Sequence, residues 1–255
     1  MNEIENKKND QKIFIKFMLI VALALYAGFV FGAMALIIRN VGVETFVSSA
    51  GIFTAKYISI IMAVFCLVFA IIALALYLKN KKLSEKWDGE DDEYITNVET
   101  GISKALLFNT VLQIMNMIFL AIMVATGYND NYKDYMTDAR YGLGFITYIV
   151  VLVFCTVLSS KIVNLEKKIN PEKRGNALDT SFLKEWVDSC DEAEKAAIYE
   201  SGYAAYKSVN RVCPYLWLVC ILLDIVFGTG FLPAVMVAIV WLISSVTYIL
   251  TAMKK

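Results

Sequence analysis

Residues 186–210 read WVDSCDEAEKAAIYESGYAAYKSVN, a polar stretch that runs straight into the apolar segment RVCPYLWLVCILLDIVF of residues 211–227. About a hundred residues earlier, 87–109 read WDGEDDEYITNVETGISKALLFN and lead into a second apolar segment in the same way. With an offset of 101 residues, Glu99-Thr100-Gly101 falls on Glu200-Ser201-Gly202 and Asn109 on Asn210, giving E-[ST]-G-x7-N in both. Val98, Ile102 and Ala105 fall on Tyr199, Tyr203 and Tyr206, the i, i+4, i+7 spacing of one helix face. Trp87 and Trp186 also correspond if the second copy carries two additional residues. The pattern predicts two helical lead-ins, each ahead of a membrane hairpin. Duplication would produce it, and so would the shared constraints of two amphipathic helices.

The surrounding composition fits that reading. The 255 residues are 58% hydrophobic, above the roughly 45 to 50% usual in soluble domains, and the mean hydropathy is +0.59. Six apolar runs stand out, at 17–38, 57–78, 105–126, 143–163, 212–227 and 232–253. Most reach the roughly 20 residues that cross a hydrocarbon core as helix. The run at 212–227 is short and carries Pro214 in its first turn, whereas Pro233 sits where the last helix should begin. Ala33-Met34-Ala35 resembles a signal-peptidase site, but the 22-residue run around it is longer than a signal h-region, which favours a retained span. Ala24, Gly28 and Gly32 give that run one small-residue face for close helix packing.

Charge gives the orientation. Lys+Arg and Asp+Glu are 24 each, so net charge is uninformative and distribution decides. Twenty of the basic residues fall in the N-terminal tail, the linker 79–104, the linker 164–211 together with Lys161 just ahead of it, and the C-terminus, while the other side holds Arg39, Lys56, Lys133 and Arg140. By the positive-inside rule this predicts six spans in three hairpins with both termini cytoplasmic. The fold class is therefore an all-α polytopic membrane protein, a single domain with residues 1–12 as a cytoplasmic tail and amphipathic helices ahead of the third and fifth spans.

Histidine is absent, which removes Ser-His, Cys-His and HExxH chemistry. The five cysteines form no CxxC pair. No P-loop, dinucleotide fingerprint or zinc pattern occurs, and the dispersed basic residues do not outline a nucleic-acid groove. No catalytic, cofactor-binding or metal-binding residue is expected, and the chain reads as non-enzymatic.

Polar residues inside the apolar runs are the remaining candidates. Asp224 is the one acid within such a run and reads either as a structural partner for a group such as Arg140 or as an ion or proton site. Asn109, Gln113 and Asn116 repeat at i, i+4, i+7 as one polar face, most simply interhelical glue. The alternative is a polar pathway opposed by Ser244, Ser245, Thr247 and Thr251. On the outer side, Asp130, Asp134 and Asp138 have the spacing of a helix face, but they lack the alternation of a Ca²⁺ loop. Ser189 with Glu192 fits a capping box. The candidate docking face is Trp186, Tyr199, Tyr203, Tyr206 and Trp87.

At residues 170–210 (NPEKRGNALDTSFLKEWVDSCDEAEKAAIYESGYAAYKSVN), together with 86–99 (KWDGEDDEYITNVE), the chain resembles an uncharacterised family of bacterial membrane proteins found mainly in Firmicutes, the domain-of-unknown-function family three-one-six-nine. The resemblance implies a bacterial plasma membrane and supplies no catalytic residues. The expected function is an accessory or regulatory membrane protein whose cytoplasmic helices engage a partner, alternatively a small-solute or ion permease using the polar face. Expected partners are the bilayer and a cytoplasmic or membrane protein, with homo-oligomers allowed and no nucleic acid.

Overall fold

The computed structural model describes residues 43–87 and 91–253. All regular elements among these are helical: α1 (Val43–Ser84), α2 (Asp92–Gly127), a 3₁₀ turn (Lys133–Tyr135), α3 (Asp138–Ile169), α4 (Phe182–Asp188), α5 (Glu192–Phe227) and α6 (Leu232–Ala252). Five of the helices are long and apolar enough to cross a membrane. They contain the last five of the six apolar runs; the first, 17–38, lies outside the described residues.

The lead-ins are not separate helices. Residues 92–127 form one uninterrupted helix, as do 192–227. Neither junction contains a residue that breaks a helix before the apolar run, and at about 1.5 Å per residue a 36-residue helix extends well past a hydrocarbon core of about 30 Å. The stretch 43–56, which reads as a polar linker, is likewise helical as the start of α1. It lacks proline, and Thr54 Oγ1 donates to the Ala50 carbonyl within the same helix.

The helix starts follow local chemistry. Asp91 caps α2 by accepting the Tyr94 N–H at 2.9 Å. The box at the start of α5 is Asp191 with Glu194, not Ser189 with Glu192. The Asp191 carboxylate accepts the Glu194 N–H (2.7 Å) and Glu194 returns the bond to the Asp191 N–H (3.0 Å). Ser189 instead ends the preceding turn, donating to the Trp186 carbonyl and accepting the Arg174 N–H. The three aspartates of the loop between α2 and α3 do not share a helix: Asp130 pairs with Lys133, Asp134 lies in the 3₁₀ turn and Asp138 opens α3.

The chain divides into two compact units. In the unit of residues 47–199, α1, α2 and α3 enclose two layers of core. One holds Ile58, Met62 and Cys66 from α1, Leu112, Phe119 and Met123 from α2, and Val151 and Cys155 from α3. The other gathers Ala73, then Val98, Ile102 and Ala105, then Leu158, Ile162, Leu165 and Ile169. Within each helix these residues recur at spacings of three, four or seven positions, so each presents one stripe to the other two. Small buried side chains, among them Ala73, Ala105, Cys66 and Cys155, let the backbones approach.

In the second unit, α5 and α6 form a hairpin. Tyr206 stacks on Tyr248 with ring centroids 4.1 Å apart and an 11° interplanar angle, and Tyr203 lies 6.3 Å from the same ring. Asn210 Oδ1 accepts both Trp241 Nε1 and Ser245 Oγ at 2.9 Å. Pro214 lies inside α5, where it has no N–H to give the Asn210 carbonyl one turn earlier. Pro233 stands in the first turn of α6, where a missing N–H is harmless. Gly228 and Gly230 adopt positive φ (64° and 78°), which makes the connection a tight turn suited to glycine.

Candidate functional site

The linker ahead of α5 folds back on the ends of α2 and α3 through a cluster of polar side chains. Glu99, one turn above the buried Ile102, and Glu166, near the end of α3, converge on Asn170. The Asn170 amide donates to Glu99 Oε1 at 2.8 Å and to Glu166 Oε1 at 3.0 Å. Three residues later Lys173 is buried, with its ammonium donating to Glu194 Oε2 and lying 3.6 Å from Cys190 Sγ. Burial works against the ammonium, but the bond and charge of Glu194, together with Cys190, outweigh it and hold Lys173 above the ordinary lysine range. Glu194 thus caps α5 and pairs with Lys173, which ties the second lead-in to the 170–190 linker at its first turn.

Sequence reading did not find this cluster as a unit. Glu99 belongs to the E-[ST]-G motif, and that repetition was the one available signal. Nothing local marks Lys173 as buried, because its partners lie 17 and 21 residues away.

The amide face of α2 points into the first unit. Asn109 is fully buried and donates to the Cys155 carbonyl (3.0 Å) and Ser159 Oγ (2.8 Å) of α3, while its Oδ1 has no partner among the described residues. Asn116 donates to the Tyr148 carbonyl at 3.1 Å and takes a long contact from Cys66 Sγ of α1 at 3.8 Å. Gln113 is half-buried between them. On α6, Ser245 faces Asn210, and Thr251 bonds back to the Thr247 carbonyl of its own helix. Asp224 is half-buried and closes the α5–α6 turn, its Oδ1 accepting the Gly230 N–H at 2.6 Å. Arg140 gives its guanidinium to the Tyr135 carbonyl.

The docking-face residues are distributed over three places. Trp87 packs against the second core layer and donates its indole N–H to the Asp91 carbonyl. Trp186 lies on α4, 5.5 Å from the Phe182 ring. Tyr206 stacks in the α5–α6 hairpin, whereas Tyr199 and Tyr203 stay 65% and 53% exposed.

Among the described residues no group of three or more Cys, Asp or Glu side chains is arranged to hold a metal ion, and all five cysteines are free. No curated protein and no solved structure matches the chain. A family model described as a protein of unknown function (DUF3169) matches residues 8–252, nearly the whole sequence, and the chain therefore belongs to the DUF3169 family.

Proposed function

We propose that the protein is a non-enzymatic accessory or regulatory component of a bacterial plasma membrane. It crosses the bilayer six times as three hairpins with both termini in the cytoplasm, and it binds a protein partner through the second lead-in. The observation that carries this reading is the exposure of Tyr199 and Tyr203 at positions whose counterparts, Val98 and Ile102, are buried. Tyrosine suits such a surface, because a rigid ring supplies contact area while the hydroxyl keeps a partner in water. The Lys173–Glu194 pair adds support by fixing the linker on which this face is mounted.

The test is co-purification from native membranes in gentle detergent with a tagged full-length chain. Wild type should recover a stoichiometric partner, and Tyr199→Ser with Tyr203→Ser should lose it while the protein remains in the membrane at its normal level. A chain that purifies alone in both forms would sink the proposal.

A further inference from the structure

Where α1 ends and α2 begins, the two helices leave a cleft of about 340 Å³ that the docking reading does not use. Lys79 on α1 and Lys104 on α2 both line it, with Asn97 and Thr100 between them. Both lysines are exposed, and among the described residues neither is in an ion pair. Among the described residues no carboxylate lines the cleft. The far end is closed by Tyr94, whose hydroxyl donates to the Leu83 carbonyl at 3.0 Å. One wall is the Asn80 carboxamide, held by its bond to the Leu76 carbonyl at 2.7 Å and seated where a Cβ on Gly101 would stand.

Asn80, Tyr94 and Asn97 already donate to backbone carbonyls, so what the cleft offers is two ammoniums, unpaired among the described residues, and these suit an anion with several acceptor oxygens. Its depth says which anion. Lys79 immediately follows the apolar run 57–78, and Lys104 immediately precedes the run 105–126. Two helices that cross a bilayer with these runs bring both ammoniums out at headgroup level on the same side. Basic pockets between membrane helices on the cytoplasmic side are suited to anionic lipid headgroups. Leu76 lines the cleft and Leu107, one turn deeper than Lys104, is exposed, so apolar surface continues where acyl chains would lie.

We infer that the cleft between Lys79 and Lys104 binds a phosphate group, presented by an anionic phospholipid of the cytoplasmic leaflet. The inference rests on the proposed topology, with α1 and α2 spanning the membrane and this end of them cytoplasmic, and is independent of the protein partner.

Native mass spectrometry of the full chain in detergent, titrated with phosphatidylglycerol or phosphatidylcholine, tests it, and a second series uses inorganic phosphate. Because binding is read in detergent, the outcome does not depend on which leaflet the cleft faces. The wild type should retain phosphatidylglycerol in preference to phosphatidylcholine. Lys79→Gln with Lys104→Gln should weaken phosphatidylglycerol by about thirtyfold, at about fivefold per lysine. The charge-matched pair Lys184→Gln with Lys207→Gln, both exposed and outside the cleft, should leave it within about twofold of wild type, below one lysine's worth. Thr100→Trp, which fills the cleft and keeps both lysines, should also lose the lipid. Inorganic phosphate bound with the same dependence on Lys79 and Lys104, in place of phosphatidylglycerol, would keep the phosphate site and make its ligand soluble. Equal losses in the two lysine pairs, or no loss in the Lys79/Lys104 variant, would overturn it.

Discussion

The two lead-ins align without a gap over Glu99–Asn109 and Glu200–Asn210, sharing E-[ST]-G-x7-N, yet they are used in opposite ways. In the first, Val98, Ile102 and Ala105 are at most 4% exposed, covered by Ala73 of α1 and by Leu158, Ile162 and Leu165 of α3. In the second, only Tyr206 of the corresponding three is packed, against Tyr248. Helical periodicity specifies which residues share a face, but a face becomes core only where another element covers it. The side chains agree with the outcome: aliphatic residues occupy the covered face, while the tyrosines of the open one combine an apolar ring with a hydroxyl that tolerates water. The covered lead-in holds the three-helix core together, and the open one leaves its tyrosine face exposed.

The largest effect that can break this comparison is truncation of matched residues. Ile102→Ala removes a fully packed side chain and should destabilise the fold by about 3 kcal/mol. Tyr203→Ala gives up ring contacts about 6 Å away with Tyr206 and Tyr248 and should cost about 1 kcal/mol or less. Thermal unfolding in detergent, followed by circular dichroism, reads both. Equal losses would mean that the second face is covered as well as the first.

The two glycines sharpen the point at smaller scale. A Cβ on Gly101 would collide with the Asn80 carboxamide, whereas one on Gly202 meets nothing within 4 Å among the described residues. Gly101→Ala should therefore cost about 1 to 3 kcal/mol by overpacking. Gly202→Ala should be neutral or stabilise by up to about 1 kcal/mol, because alanine is the better helix former. The same unfolding assay decides, and a destabilising Gly202→Ala would place a neighbour against that glycine.

Much of this could be read from the chain alone, for identifiable reasons. Apolar runs report membrane-length helices directly, and five of the six lie inside helices of sufficient length. The glycine turn at 228–230 and Pro233 at a helix start are fixed by backbone chemistry that each residue carries with it. What sequence could not supply is the cover over each face. Val98 and Tyr199 have the same periodicity, and their different fates depend on α1 and α3. The capping box shows the same limit at short range: both Ser189-x-x-Glu192 and Asp191-x-x-Glu194 fit the pattern, and the helix begins where Glu194 can also reach Lys173. The Glu99–Asn170–Glu166 cluster joins residues up to 71 apart in the chain, beyond any local signal.

What the two lead-ins have in common is their asparagine, and the smallest and most discriminating effect is expected there. Asn109 bonds to Ser159 of the helix after it and Asn210 to Ser245 of the helix after it, at 2.8 and 2.9 Å, although one asparagine is fully buried and the other only half. Interhelical bonds of this kind in membrane proteins couple by about 0.6 kcal/mol on average and at most about 1.7. Double-mutant cycles combining Asn109→Ala with Ser159→Ala, and Asn210→Ala with Ser245→Ala, should therefore return similar coupling energies of that size. The cycle is the right measurement because the cavity left by each alanine cancels, leaving the bond itself. Matching values would show that the lead-ins share one way of fastening a helix to its successor and differ only in what covers their outer face. A coupling at Asn109 several times larger than at Asn210 would mean that burial, and not the shared amide, sets the strength of the joint.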